Sequence, residues 1–222
     1  MNTKIKICGI KRPEDIEYVN EGLPDYIGFV FARSKRQIDI DTAKRLKKRL
    51  HPDIQAVGVF VNEAAEQAAW LVNEGIIDIV QLHGEENTEY IQILRSLMKR
   101  GKIIQAVRVQ TAWDIKSAEN TSADYLLFDK FSPKAYGGMG ETFNWKLIDS
   151  VKKPFFLAGG INCENVKKAV ALLHPYSIDV SSAVETEGVK DRNKIMDIIK
   201  SVRETGFEHL EAGLKTKIKS GL

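Results

Sequence analysis

A cysteine thiol at position 8 and an aspartate carboxyl at position 129 are the two groups in this sequence best placed to move protons. Cys8 ends the run Lys4-Ile5-Lys6-Ile7-Cys8 and passes directly into Gly9, while Asp129 ends Tyr125-Leu126-Leu127-Phe128-Asp129. Each stands where an extended segment gives way to a loop. A thiolate is a competent base, and a carboxyl held neutral by a semi-apolar pocket is a competent acid. Each also has a plainer reading. A strand cysteine is commonly a small buried hydrophobe, and a terminal aspartate commonly caps a turn.

Other segments offer anion chemistry. Gly159-Gly160-Ile161 follows the run Phe155-Phe156-Leu157-Ala158, and Asn162 to Val166 opens a helix behind it. Bare amides beside a helix N-terminus bind anions, although Gly-Gly alone is more often a tight turn. Ser181-Ser182 adds hydroxyl and amide donors after the last apolar run. Arg36 closes the basic stretch Arg33-Ser34-Lys35-Arg36. It fits either a solvated surface charge or a bidentate carboxylate clamp. Gln81 and His83 also fall at a strand end, and His83 fits a site residue or a satisfied structural histidine. Cys163 lies in the first turn of its expected helix and reads as packing.

Eight elements are needed to carry these groups. The β-rich runs are Lys4–Cys8, Tyr26–Phe31, Ala56–Val61, Ile79–Leu82, Ile103–Arg108, Tyr125–Asp129, Phe155–Ala158 and Ile178–Ser181. Several are apolar almost throughout, as parallel strands buried on both faces are. Helical spacing marks the stretches between them: Ala65, Ala68, Ala69 and Val72; Ile91, Leu94 and Leu97; Ile195, Ile198 and Ile199. Pro13-Glu14-Asp15 opens the first helix, Asp41 is the expected N-cap of Thr42–Leu50, and Gly101 the expected stop of the fourth helix. Eight βα units predict a single-domain (β/α)8 TIM barrel over residues 1–206. Residues 207–222 form a short C-terminal extension, an added helix or a frayed tail. A doubly wound open sheet fits the same periodicity, because periodicity does not report closure. In a closed barrel, the strand C-termini converge on one face and the loops after strands seven and eight hold phosphate.

Composition narrows the class. The chain has 222 residues, 43% hydrophobic and 28% charged, with a net charge of +3. That balance suits a globular domain and is too mild for a nucleic-acid partner. No run approaches a membrane span, and the N-terminus has no signal-peptide core. Cys8 and Cys163 are too far apart for metal-ligand spacing, and both are expected as reduced thiols in the cytoplasm.

The ordered set resembles the phosphoribosylanthranilate isomerase family, (β/α)8 barrels of tryptophan biosynthesis. The resemblance rests on Lys6-Ile7-Cys8-Gly9, on Gly28-Phe29-Val30-Phe31 with Ser34-Lys35-Arg36, and on Gln81-Leu82-His83-Gly84. It continues with Leu127-Phe128-Asp129, Leu157-Ala158-Gly159-Gly160-Ile161 and Asp179-Val180-Ser181-Ser182 with Val184-Glu185. It implies an Amadori rearrangement of an N-(phosphoribosyl)anthranilate, with no cofactor or metal. Asp129 would be the general acid and Cys8 the general base. Arg36 would hold the anthranilate carboxylate, Gln81 and His83 would bind substrate, and Gly159, Gly160, Ser181 and Ser182 the phosphate. The partner is then a small phosphorylated substrate, and monomer and homodimer both stay open. Cys8 also requires a site that favours its thiolate.

Three residues depart from the family pattern: Met139 for a usual threonine, Asn144 for aspartate, and Ala183 for glycine. Ala183 would disturb a phosphate amide if that position needs φ > 0. Cys8 and the single set of phosphate loops argue against the related isomerase of histidine biosynthesis. Phe31, Val61 and Gly159 stand where an epimerase would want metal ligands. The remaining alternative is a non-catalytic barrel that binds a phosphorylated metabolite.

Overall fold

Eight short strands pair in parallel and in sequence order, and the last returns to the first. They are β1 (Lys4–Cys8), β2 (Tyr26–Val30), β3 (Gln55–Phe60), β4 (Ile79–Leu82), β5 (Lys102–Val109), β6 (Tyr125–Lys130), β7 (Phe155–Leu157) and β8 (Ser177–Val180). Closure is carried by the β1–β8 register Lys4↔Ser177 to Ile7↔Val180, so the sheet is a barrel and not an open doubly wound layer. The computed structural model describes residues 2–130, 144–148 and 151–219, with side chains described as far as Thr205.

Helices α1 (Pro13–Gly22), α2 (Ile40–Lys47), α3 (Ala65–Asn73), α4 (Thr88–Leu97) and α5 (Ala112–Ala118) follow β1 to β5. After β6 the described residues hold a 3-10 turn, Trp145–Leu147, in place of the expected sixth helix. Helix α6 (Val166–Leu173) follows β7, and α7 (Arg192–Lys219) follows β8, its backbone continuing through residues 207–219. Three expected boundaries move. Asp39, not Asp41, caps α2, because its carboxylate accepts from Thr42 N. Helix α4 ends at Leu97, where Met98 turns extended, before Gly101 is reached. Helix α6 opens at Val166, so Asn162–Asn165 form a turn in which Asn162 Oδ1 accepts from Glu164 N and Asn165 N. Cys163 is exposed in that turn and packs no core.

Strand alternation divides the side chains between two cores. Ile5, Ile7, Ile27, Phe29, Leu126 and Phe128 face the helices. Tyr26, Val57, Ile79, Ile104, Leu127 and Phe156 fill the barrel interior, with Cys8, Val30 and Val59 above them. The interior positions of β1 are therefore Lys4, Lys6 and Cys8. Lys6 is fully buried and meets Asp179 of β8 at 3.0 Å, while Lys4 reaches the Tyr26 hydroxyl and lies over the Tyr176 ring.

At the opposite end, one device repeats. Asp25, Asp78 and Asp124 immediately precede β2, β4 and β6, and each accepts from the second amide of the preceding strand, Ile5 N, Ala56 N and Ile103 N. Each satisfies a backbone donor at the rim where the sheet hydrogen-bond ladder runs out. Among the described residues no helix is long and apolar enough to cross a membrane.

Candidate active site

The strand C-termini enclose a cavity of about 280 Å³. Cys8, Arg36, Gln81, His83, Asp129, Gly159, Gly160 and Ser181 all line it, drawn from β1, the loop after β2, β4, β6 and the loops after β7 and β8. Of the residues expected at the site, Ser182 does not line the cavity and instead opens the 3-10 turn Ser182–Val184. Val30, Val59, Val61, Ala158 and Ile161 supply an apolar wall.

Cys8 is buried, and its thiol has room because its β2 neighbour is Gly28: a Cβ there would lie 2.6 Å from Sγ. Burial pushes the thiol above its ordinary value and Asp179 adds to that, while the Lys6 and Lys190 ammoniums oppose both. The expected preference for thiolate is therefore not met: desolvation outweighs two nearby cations. Burial pulls Lys6 down, but Asp179 and Cys8 raise it more, so it stays cationic beneath the thiol. Burial also raises Asp179, against the pull of Lys6.

Asp129, the penultimate residue of β6, lines the cavity, with Lys130 N donating to Oδ1 at 2.8 Å. Gly159 permits this approach: at φ +76 it adopts a backbone unsuited to side chains, and a Cβ would stand 2.9 Å from Oδ1. His83 Nε2 sits 3.4 Å from Asp129 Oδ2, a contact short of an aligned hydrogen bond. The other ring nitrogen pairs with Gln81 Nε2 at 3.1 Å. His83 is thus both a cavity residue and a structural one. Buried Gln81 Oε1 has no partner among the described residues, which leaves an acceptor for a ligand donor.

Arg36 is neither a solvated charge nor an open clamp. Its Nε and Nη2 donate to the two Glu185 oxygens at 2.6 and 2.8 Å, with Arg36 and Glu185 side chains 12% and 6% exposed. Glu185 also accepts from Lys190 Nζ at 2.9 Å. Burial raises the Glu185 carboxyl, yet Arg36 and Lys190 bring it down to about 2. At the anion end, Ser181 spends its hydroxyl proton on the Cys8 carbonyl. Backbone of Gly159, Gly160 and Ser181 lines the cavity there, the two glycines both at positive φ. Ala183 sits within that turn and outside the positive-φ residues, so the expected strain does not arise. Asn144 accepts from Lys146 N, whereas Met139 and the rest of Gly137–Gly140 lie outside the described residues.

Sequence reasoning missed the partners of these groups. Lys6–Asp179, Glu185–Lys190 and Glu86, which takes Asn62 N and Gly84 N on its two oxygens, carry no local signal beyond a charge near a strand end.

A closed (β/α)8 barrel that brings a thiol and a carboxyl to one part-apolar cavity beside an arginine can support proton transfer on a small molecule. The model of the N-(5′-phosphoribosyl)anthranilate (PRA) isomerase family matches residues 5–201, and the chain belongs to that family. The N-(5′-phosphoribosyl)anthranilate isomerase of Endomicrobium trichonymphae is 50% identical over 200 residues, covering 90% of this chain and 98% of the relative. The solved phosphoribosyl anthranilate isomerase of Thermotoga maritima superposes with a TM-score of 0.80 at 37% identity, over 91% of this chain and 99% of that one. A phosphoribosyl anthranilate isomerase solved in complex with reduced 1-(o-carboxyphenylamino)-1-deoxyribulose 5-phosphate gives 0.77 at 35% identity, with the same coverage.

Proposed function

We propose that the chain converts N-(5-phosphoribosyl)anthranilate to 1-(2-carboxyphenylamino)-1-deoxyribulose 5-phosphate in the tryptophan pathway of the cytoplasm, with Asp129 as acid and Cys8 as base. The observation that carries this reading is that Cys8 of β1 and Asp129 of β6 line one cavity. Asp129 gives its proton to the ring oxygen as the bond from that oxygen to C1′ breaks, and the nitrogen lone pair forms the C1′=N iminium. The Cys8 thiolate takes the C2′ proton, and the released electron pair makes the C1′=C2′ enolamine and neutralises the nitrogen. Loss of the enol proton and protonation at C1′ give the ketone. Each transfer by a positioned side chain contributes about 10²–10⁴-fold.

Arg36 faces the anthranilate carboxylate with the guanidinium edge that Glu185 leaves open, and the valine wall receives the aryl ring. The phosphate lies against Gly159, Gly160 and the amides around Ser181 and Ser182. Gln81 Oε1 accepts from a substrate hydroxyl. Because the buried thiol holds its proton above the usual range, Lys6 is the group that stabilises the thiolate when it forms.

The test follows the loss of anthranilate-substrate fluorescence, with substrate generated in situ, for wild type, Cys8→Ala and Asp129→Asn. Turnover by wild type that falls at least about 10²-fold in both variants supports the assignment. Turnover retained in either variant refutes that residue's role. A folded wild type that binds phosphate without turnover favours the non-catalytic barrel.

A further inference from the structure

Glu185 opens a two-stranded hairpin, β9 (Glu185–Thr186) and β10 (Val189–Lys190), in the loop after β8. The antiparallel register sets Lys190 directly opposite Glu185. Lys190, 1% exposed in its side chain, donates to Glu185 Oε1 and to the Ser181 carbonyl, both at 2.9 Å. Glu185 in turn takes the Nε and Nη2 hydrogens of Arg36. The hairpin therefore braces Arg36 from one side and the anion corner from the other.

A guanidinium has five N–H donors in a rigid plane and two edges that each match a carboxylate. Here the Nε/Nη2 edge is closed, so an incoming carboxylate meets Arg36 through Nη1 and the second Nη2 hydrogen. We propose that Glu185 is a positioning residue that turns this one edge of Arg36 toward the substrate carboxylate, and so sets the preference for a carboxylate-bearing aryl amine. The proposal rests on Arg36 being the carboxylate contact, as read above.

Charge and orientation predict opposite outcomes. Arg36, Glu185 and Lys190 together carry one net positive charge. Removing the Glu185 charge doubles that and, on charge alone, would tighten carboxylate binding. If orientation decides, the freed guanidinium swings and carboxylate binding weakens.

Calorimetry measures two ligands: the reduced product analogue, and its phenylamino counterpart without the carboxylate. Wild type prefers the first. In Glu185→Gln that preference falls about tenfold, the worth of one charge-assisted hydrogen bond, while phenylamino affinity stays within about twofold. Glu185→Gln/Lys190→Met restores the original net charge and leaves no buried lysine unpaired. It shows the same loss, and it carries the test if the single variant fails to fold. A preference unchanged or enlarged in a folded variant overturns the proposal, as does equal weakening of both ligands. A wild type indifferent to the carboxylate overturns the Arg36 assignment first, and the role of Glu185 with it.

Discussion

Lys6 is the sharpest lever on the proposed chemistry, because it bears electrostatically on Cys8 and does not line the cavity. It lies fully buried on β1, two residues before Cys8 on the same interior face, and is held by Asp179 at 3.0 Å. Burial raises the thiol, Lys6 pulls it down more strongly than any other group, and Asp179 pushes it up. Three substitutions therefore separate in sign. Lys6→Met removes the main stabiliser of the thiolate. Losing the buried cation that most opposes desolvation lowers the thiolate population at neutral pH. Asp179→Asn leaves Lys6 uncompensated and increases the thiolate. Lys6→Met/Asp179→Asn lies between wild type and Lys6→Met, since the lost stabiliser is larger than the lost opponent.

Stability separates the same variants differently. Lys6→Met strands a carboxylate whose side chain is 9% exposed, at a cost of about 3–5 kcal/mol. The double variant removes both charges and is near neutral or stabilising. The assay is the pH dependence of Cys8 alkylation in a Cys163→Ser background, because Cys163 is exposed and would react first. Urea midpoints are measured alongside. Raised folded-state pKa means the wild-type rate is still climbing above the ordinary thiol range. An alkylation profile in Lys6→Met that coincides with wild type, in a folded protein, refutes Lys6 as the thiolate's counter-charge.

Two further outcomes follow from particular contacts. Gly28→Ala places a Cβ 2.6 Å from Cys8 Sγ and 3.1 Å from Cys8 Cα, so the thiol must move. Overpacking costs about 1–3 kcal/mol, and a displacement of that kind lowers kcat about 10²-fold; wild-type kcat in the folded variant counts against the thiol's placement. Acid lability tests Glu185, whose carboxyl lies at about 2 when folded against an ordinary 4.5. A depressed carboxyl stabilises the fold above its unfolded value, and that contribution disappears as pH falls from about 4.5 toward 2. It amounts to about 3 kcal/mol, so urea midpoints in Glu185→Gln should change less over that window than in wild type.

Much of the frame was legible because parallel strands buried on both faces leave long apolar runs, and all eight were located to within a residue or two. Closure was not legible, since it depends on strand tilt and stagger, which no local pattern encodes. Cap positions failed where two candidates stood close together: Asp39 and Asp41 both precede a helical stretch, and only the carboxylate's reach to Thr42 N decides. Cys8, Asp129 and Arg36 could be picked out by position at strand ends. Their partners could not, because Lys6–Asp179 and Arg36–Glu185 join residues 173 and 149 positions apart. The deeper reason lies in how alternation is read. In a half-exposed sheet, the charged residues of Lys4-Ile5-Lys6-Ile7 mark the solvent face, and the isoleucines mark the core. A closed barrel inverts that assignment, because its strands bury one face under helices and the other in the barrel. Ile5 and Ile7 go under the helices, and Lys6 goes inside, directly below Cys8, the proposed base. Once eight parallel strands have been counted, a charged residue alternating with aliphatics near a reactive group is therefore an interior candidate. Its counter-charge should be sought on the strand that completes the ring.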